Sequence, residues 1–145
     1  MSTCTFDRSV IIAHRVRELP KDFVLSSVVI GELTAGAPDD STRKVYEAMR
    51  SEFHKDNALI TPTADDWLTA SRILFWLSRG RKKKAGGKAP HLLPGVSQRM
   101  FLDALIAVSA RRVGAIVVTE NWDDFKAIQY YCDVKLKRGS AFLKQ

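Results

Sequence analysis

The stretch RMFLDALIAVSARRVGAIVVTENWDDF, residues 99–125, decides the fold, because a helical pattern in it passes directly into a strand pattern. Gly114 is well placed to end the helix, since glycine readily adopts the left-handed conformation common at that position. The apolar run AIVVT behind it is typical of a buried strand. This junction predicts a helix packed on a sheet. The helix is expected from about Ser97 to Arg112, with one apolar face at Phe101, Ala104, Leu105 and Val108.

The remainder of the chain shows the same alternation of short strand-like runs and helical stretches. The runs CTF, DFVLSS and NALITP come first, and a last strand is expected around Cys132 to Leu136. Another helix is expected to start at Thr63, with Asp65 and Asp66 in its first turn, and to stop at Gly80. This order predicts an α/β fold with a mostly parallel sheet covered by helices. The apolar stripe of that other helix is predicted to be Trp67, Ala70, Leu74 and Leu77.

Length and composition favour a single domain. A chain of 145 residues with 46% hydrophobic residues has room for one substantial core, so residues 1–145 are expected to form one domain. No apolar run approaches the roughly 18 residues of a membrane helix, and Asp7 and Arg8 precede any signal-like stretch. Cys4 and Cys132 match no zinc-ligand spacing and are expected to be small buried side chains. We therefore expect a cytoplasmic protein with no membrane association.

Positive charge is concentrated in one segment. The net charge is +7, and it would be +1 without six basic residues between positions 79 and 88. Clustered positive charge attracts polyanions, so this segment is expected to bind phosphate groups. The alternative is a solvated loop without a partner. The six are Arg79, Arg81, Lys82, Lys83, Lys84 and Lys88, in a glycine- and proline-rich loop or insert at about 79–95.

Two acidic residues stand in apolar helical surroundings. Asp103 lies within MFLDALIAV and Glu32 within SSVVIGELTAG. An ionised carboxylate in such a setting loses several kcal/mol of solvation unless it is paired, hydrogen-bonded, metal-bound or protonated. Asp7 and Asn121 each follow a strand-like run, at the end where parallel sheets carry their functional loops. A divalent cation is the simplest agent that would keep such a cluster ionised.

Each of these four residues also has an ordinary structural explanation. Asp7 could cap a helix starting at Ser9, Asn121 could be a turn residue, and the other two acids could face solvent. Taken together, the four favour a metal site. No glycine-rich phosphate loop, HExxH motif or Ser–His–Asp order competes with that hypothesis. Surface or packing roles are expected for the scattered histidines, His14, His54 and His91.

Four segments, in order along nearly the whole chain, resemble a PIN domain of the VapC type. TFDRSVII resembles the opening strand with its first acid, Asp7, and LSSVVIGELTAG resembles the segment carrying the second, Glu32. RMFLDALIAVSARRVG resembles the segment with the central acid, Asp103. AIVVTENWDDF resembles the last, with Thr119, Asn121, Asp124 and Phe125 in register.

The resemblance implies a three-layer α/β/α sandwich and a metal-dependent endoribonuclease whose products carry 5′-phosphates. Mg²⁺ or Mn²⁺ would be held by Asp7, Glu32 and Asp103, with Asp124 as a further candidate ligand. Asn121 would hold the metal or a water on it. Ser9 and Thr119 would support the site. The resemblance also implies a cognate antitoxin that inhibits the protein, and a homodimer.

Three features depart from the family pattern. Arg8 replaces the small residue often found after the first acid, and it could either clash with a metal or reach a phosphate. Asn121 occupies the fourth acidic position, which leaves Asp123 or Asp124 as substitutes. The basic insert is not a family requirement.

Two other classes of protein compete with a nuclease. A catalytically inert PIN-like module would bind RNA or a partner without cutting. A receiver-like signalling domain also gathers acids at strand ends, but it needs a strand-end lysine where this chain has Thr119 and Asn121.

The basic insert yields a first prediction. Replacing Lys82, Lys83 and Lys84 with alanine should weaken RNA binding for every sequence alike. It should reduce the log–log salt slope by up to about 2, at roughly 0.7 per single-strand phosphate contact. Affinity titrations over a range of salt concentrations measure this, and an unchanged slope would identify the segment as a solvated loop.

Overall fold

The structure is a computed structural model that describes residues 3–13, 19–20, 22–79 and 97–143. Five of the six basic residues between positions 79 and 88, as well as His14, Gly80 and His91, lie outside the described residues. Arg79 is described at the end of a helix, with its guanidinium carbon 3.8 Å from the centre of the Phe75 ring.

Short parallel strands alternate with helices along the chain. The strands are Cys4–Phe6 (β1), Leu25–Ser26 (β2), Leu59–Ile60 (β3), Ile116–Thr119 (β4) and Leu136–Arg138 (β5). The helices are Arg8–Ala13 (α1), Ser27–Ala35 (α2), Asp40–Lys55 (α3), Ala64–Arg79 (α4), Ser97–Arg112 (α5), Trp122–Gln129 (α6) and Gly139–Phe142 (α7).

The strand order follows from the hydrogen bonds between strands. β1 pairs with β4 and β4 with β5, while β2 pairs with β3, and every pair is parallel. β1, β4 and β5 thus form a three-stranded sheet in the order β1-β4-β5, and β2 and β3 form a two-stranded sheet. The Val24 N–H donates to the Cys4 carbonyl at 3.0 Å, which places the start of β2 beside β1. Connections between parallel strands are right-handed as a rule, so the helices between these strands are expected on both faces of the sheet. The predicted α/β/α sandwich with a parallel sheet is confirmed.

The predicted junction between α5 and β4 is also confirmed. Gly114 has a positive φ of 73°, and the Ala115 N–H donates to the Ala110 carbonyl at 2.9 Å in the turn that ends the helix. Val117 and Val118 of the following strand are fully buried, which is the environment that their apolar run predicts.

The last strand was predicted in the wrong place. It was expected around Cys132 to Leu136, but β5 begins at Leu136. The Cys132 N–H donates to the Ile128 carbonyl at 3.1 Å, so this part of the chain still belongs to the turn after α6. Cys132 and Val134 are buried, so their apolar character reflects a loop packed on the core and not a paired strand.

The start of α4 is as predicted, and so are three of the four residues of its apolar stripe, Trp67 being the exception. The Asp66 N–H donates to Thr63 Oγ1 at 3.1 Å, and Asp66 Oδ2 accepts from the Thr63 N–H at 2.9 Å. The core face contains Ala70, Ile73, Leu74 and Leu77. Trp67 is 50% exposed, because it lies at the margin of that face, where its ring contacts Phe101 at 5.5 Å between centroids.

The other expectations for single residues concern cysteines and a histidine. Cys4 and Cys132 are buried free thiols, as predicted, and burial raises the pKa of both. His54 is exposed on α3, which agrees with a surface role.

Within the described ranges, no helix is both long enough and apolar enough to cross a membrane.

A second prediction concerns Asp66. Its carboxylate closes the capping box of α4 and accepts from Arg112 Nε at 2.9 Å, although it is buried. Asp66→Ala should therefore lower the free energy of unfolding by about 2 kcal/mol, since a cap is lost and a cation loses its partner. Urea denaturation measures this change. The control is Asp65→Ala, which removes an exposed carboxylate from the same turn; similar losses in both variants would contradict the prediction.

Candidate active site

Asp7 lies at the end of β1 and is almost completely buried, with 3% of its surface exposed. Its N–H still donates to the Val118 carbonyl at 3.1 Å, so the backbone is fixed against β4. Each carboxylate oxygen accepts from a hydroxyl group. Ser9 Oγ donates to Oδ1 at 2.5 Å, and Thr119 Oγ1 donates to Oδ2 at 2.8 Å.

The same two hydroxyl groups hold the loop that follows β4. Ser9 Oγ accepts from the Glu120 N–H at 3.0 Å, and Thr119 Oγ1 accepts from the Asn121 N–H at 2.8 Å. Each hydroxyl therefore donates to Asp7 and accepts from the loop, which fixes both their orientation and the path of the chain. Ser9 and Thr119 lie at the supporting positions that the resemblance implies.

Asp103 is buried on α5, with 6% of its surface exposed, and does not lie on a solvent face of its helix. Asn121 Nδ2 donates to Asp103 Oδ2 at 3.2 Å and to Asp124 Oδ2 at 3.0 Å. Arg99 Nη2 is 3.7 Å from the same Asp124 oxygen. Asn121 thus acts as a hydrogen-bond donor that links two carboxylates.

Glu32 is half-buried on α2 and completes one wall of a cleft of about 430 Å³. The cleft brings together all four of the residues proposed from the sequence as catalytic. Asp124 lies behind Asn121, and Asp123 is exposed on α6 and does not line the cleft. The lining residues are Asp7, Arg8, Ser9, Ile12, Glu32, Arg99, Asp103, Glu120 and Asn121.

The carboxyl groups in the cleft are difficult to ionise together. Burial, together with the charges of Asp7, Glu32 and Asp124, raises the pKa of Asp103 to about 8, against the opposing charge of Arg99. Burial also raises the pKa of Asp7, against the hydrogen bonds from Ser9 and Thr119. For Glu32, burial raises the pKa and the charge of Arg8 lowers it. The cleft therefore favours any partner that brings positive charge.

The donor atoms of the cleft fit a hard divalent cation. They include carboxylate oxygens, which Mg²⁺ and Mn²⁺ prefer, and among the residues that the structure describes neither a cysteine nor a histidine lines the cleft. In the part of the chain that is described, no three acidic, histidine or cysteine side chains are yet close enough to hold an ion as they stand. The ligand atoms are thus of the type that a divalent cation prefers. To coordinate one, the carboxylates would have to move closer together.

Sequence reasoning missed two charged residues of the cleft, Arg99 and Glu120, as well as the apolar Ile12. Arg99 precedes Asp103 by four residues on α5, and one helical turn places such a pair on the same face. That spacing could have identified Arg99. Glu120 lies between Thr119 and Asn121, in a loop whose course no local pattern shows.

The fold is shared with chains from solved VapBC and FitAB complexes. A chain of DNA-bound VapBC from Salmonella typhimurium has a TM-score of 0.60 and 18% identity, covering 96% of this chain and 99% of its own. A chain of VapBC2 from Rickettsia felis, bound to a promoter DNA fragment, has a TM-score of 0.60 and 16% identity over 94% and 98%. One of FitAcB from Neisseria gonorrhoeae has a TM-score of 0.61 and 15% identity over 95% and 99%.

These similarities show that the chain shares its α/β fold with the compared chains of these complexes. No protein-family model matches the sequence, and no curated protein does either.

A third prediction follows from the pKa of Asp103. The pKa of Asp103 is about 8 in the folded protein and about 4 in the unfolded chain. Because the unfolded chain ionises first, the metal-free protein loses stability as the pH rises from about 4 to about 8. Asp103→Asn removes this charge and can still accept from Asn121. In EDTA, the variant should melt at nearly the parent temperature at acid pH and above it at about pH 8. Thermal unfolding measured by circular dichroism checks this.

The control for the third prediction is Asp123→Asn, which removes an exposed charge from the start of α6. Its effect on the melting temperature should not grow with pH in this way. A difference between Asp103→Asn and the parent that stays constant over the whole range would contradict the assignment of the charge to the cleft.

Proposed function

We propose that this chain is a metal-dependent endoribonuclease of the PIN type and the toxin of a toxin–antitoxin pair. The observation that carries the proposal is the cleft in which Asp7 and Asp103 are buried beside Glu32, at the carboxyl ends of β1 and β4. Parallel sheets bind their ligands at this edge. Evolution rarely retains buried carboxylates side by side without a function, because each is costly to ionise.

In the proposed mechanism, Asp7, Glu32 and Asp103 hold the cation, Mg²⁺ or Mn²⁺. When bound, the cation activates water for attack and neutralises charge on the scissile phosphate. The protein's own part is positioning. Ser9 and Thr119 fix both oxygens of Asp7, and Asn121 restrains Asp103 through its amide group. These hydrogen bonds orient both carboxylates, which would still have to draw together around the cation.

The outer surface of α4 supports the proposal that the chain binds a partner protein. Trp67, Leu68 and Phe75 are each about half exposed, which is unusual for large apolar side chains grouped on one helix. Beside Trp67, an apolar groove of about 510 Å³ runs between α2, α4 and α5 and shares Glu32 with the cleft. We assign this surface to the cognate antitoxin, since the similar chains come from VapBC and FitAB pairs, and to a second copy of the chain in a homodimer.

An inert PIN-like module is the second candidate. It would retain the fold and the groove without cutting RNA. The four cleft positions argue against it, because Asp7, Glu32, Asp103 and Asn121 all carry groups that can bind a cation or its water.

A fourth prediction tests catalysis directly. Asp103→Asn should reduce Mn²⁺-dependent cleavage of RNA by about a hundredfold or more, since loss of one ligand charge costs several kcal/mol and each 1.36 kcal/mol is tenfold in rate. The assay follows purified protein on labelled RNA, with 5′-phosphate ends as the expected products. Asp123→Asn serves as the matched control and should retain activity.

Retained cleavage by a folded Asp103→Asn protein would contradict the catalytic assignment. Absence of metal-dependent cleavage in the parent protein, with RNA binding intact, would favour the inert module.

A further inference from the structure

Two cationic side chains line the acidic cleft. Arg8 is the first residue of α1 and directly follows Asp7, while Arg99 lies in the first turn of α5, four residues before Asp103. Each is therefore close along the chain to one of the buried acids, Arg8 as the next residue and Arg99 at a distance of one helical turn. Both side chains are exposed to solvent, and that of Arg99 is 59% accessible.

Neither arginine forms a short ion pair with a carboxylate in the described part of the chain. Arg8 forms no ion pair within 4.0 Å with any described carboxylate, and the pair between Arg99 and Asp124 is 3.7 Å long. Strong guanidinium–carboxylate pairs are close to 2.8 Å, and longer pairs exposed to solvent contribute little to stability. The guanidinium donors of both residues are therefore available to a ligand that enters the cleft.

A phosphodiester strand would meet a strong repulsion in this cleft. Asp7, Glu32 and Asp103 form its interior, and Glu120 stands exposed at its edge. Each phosphate of the strand brings a further negative charge. A cation bound to the acids offsets part of this repulsion, but phosphates that flank the scissile one still require donors of their own. Guanidinium groups suit them, because their fork of N–H donors matches two phosphate oxygens.

We propose that Arg8 and Arg99 bind phosphate oxygens of the RNA strand and position the scissile bond over the acidic cleft. This inference rests on the proposed ribonuclease function and adds the residues that hold the substrate there. It also gives Arg8 a definite role, since an exposed side chain on the cleft wall can reach a phosphate without crowding the acids. If the arginines only offset the acidic charge, replacing them should lower thermal stability and leave the salt dependence of RNA binding unchanged.

The experiment measures RNA binding without cleavage. In the full-length Asp103→Asn protein with Mg²⁺, the affinity for a short fluorescent single-stranded RNA is followed by anisotropy over a range of salt concentrations. Arg8→Gln and Arg99→Gln should each weaken binding by about tenfold, as expected for loss of a charge-assisted hydrogen bond. Each should also lower the log–log salt slope by about 0.7. Arg8→Lys should retain the slope, because its charge is kept.

The matched control is Arg111→Gln, which removes the same charge from the last turn of α5, about 18 Å from Arg99 along the helix axis. It should leave the slope unchanged. Equal effects of Arg8→Gln, Arg99→Gln and Arg111→Gln would overturn the proposal, as would loss of thermal stability in the first two with no change in salt slope. Failure of the parent protein to cleave RNA is a separate outcome, because binding is measured in a background that does not require cleavage.

Discussion

The burial of Asp7 is the constraint on which the site depends. Burying a carboxylate at the end of a central strand is costly unless hydrogen bonds or an opposite charge compensate for its lost hydration. Ser9 and Thr119 satisfy this requirement from two different elements, and the same hydroxyls accept the N–H groups of Glu120 and Asn121. The two hydroxyl groups that compensate for the burial of Asp7 thus also fix the loop that brings Asn121 to Asp103.

The packing of α5 on the core holds Asp103 near the other carboxylates of the cleft despite their mutual repulsion. Asp103 is held in the cleft because α5 packs its neighbours Ala104, Leu105 and Ala107 into the core, where each is almost fully buried. Turning Asp103 towards water would expose those side chains, at about 25 cal/mol for each Å² of apolar surface. Packing therefore enforces an electrostatic arrangement that the carboxylates alone would avoid. A site that is strained in this way responds to added positive charge, since binding releases part of the cost.

Sequence patterns could predict those features in which one residue conflicts with its local surroundings. Asp103 and Glu32 were identifiable because a charge interrupts an apolar helix, and Gly114 because glycine readily adopts the left-handed conformation that often ends a helix. The exposure of Trp67 and the start of β5 at Leu136 could not be predicted, because they depend on which distant element covers each surface. Cys132 and Val134 look like strand residues locally, but the turn after α6 packs them on the core.

One face of α4 packs in the core, and Trp67 on the same helix borders the apolar groove beside the acidic cleft. Ile73 and Leu77 on its inner face are fully buried, whereas Trp67 borders the groove that shares Glu32 with the acidic cleft. An apolar segment seated in that groove would lie against Glu32. Its desolvation would raise the pKa of Glu32 further unless the segment also supplied a cation. A basic residue next to the apolar stretch of such a segment would offset this cost, which a purely apolar segment would not.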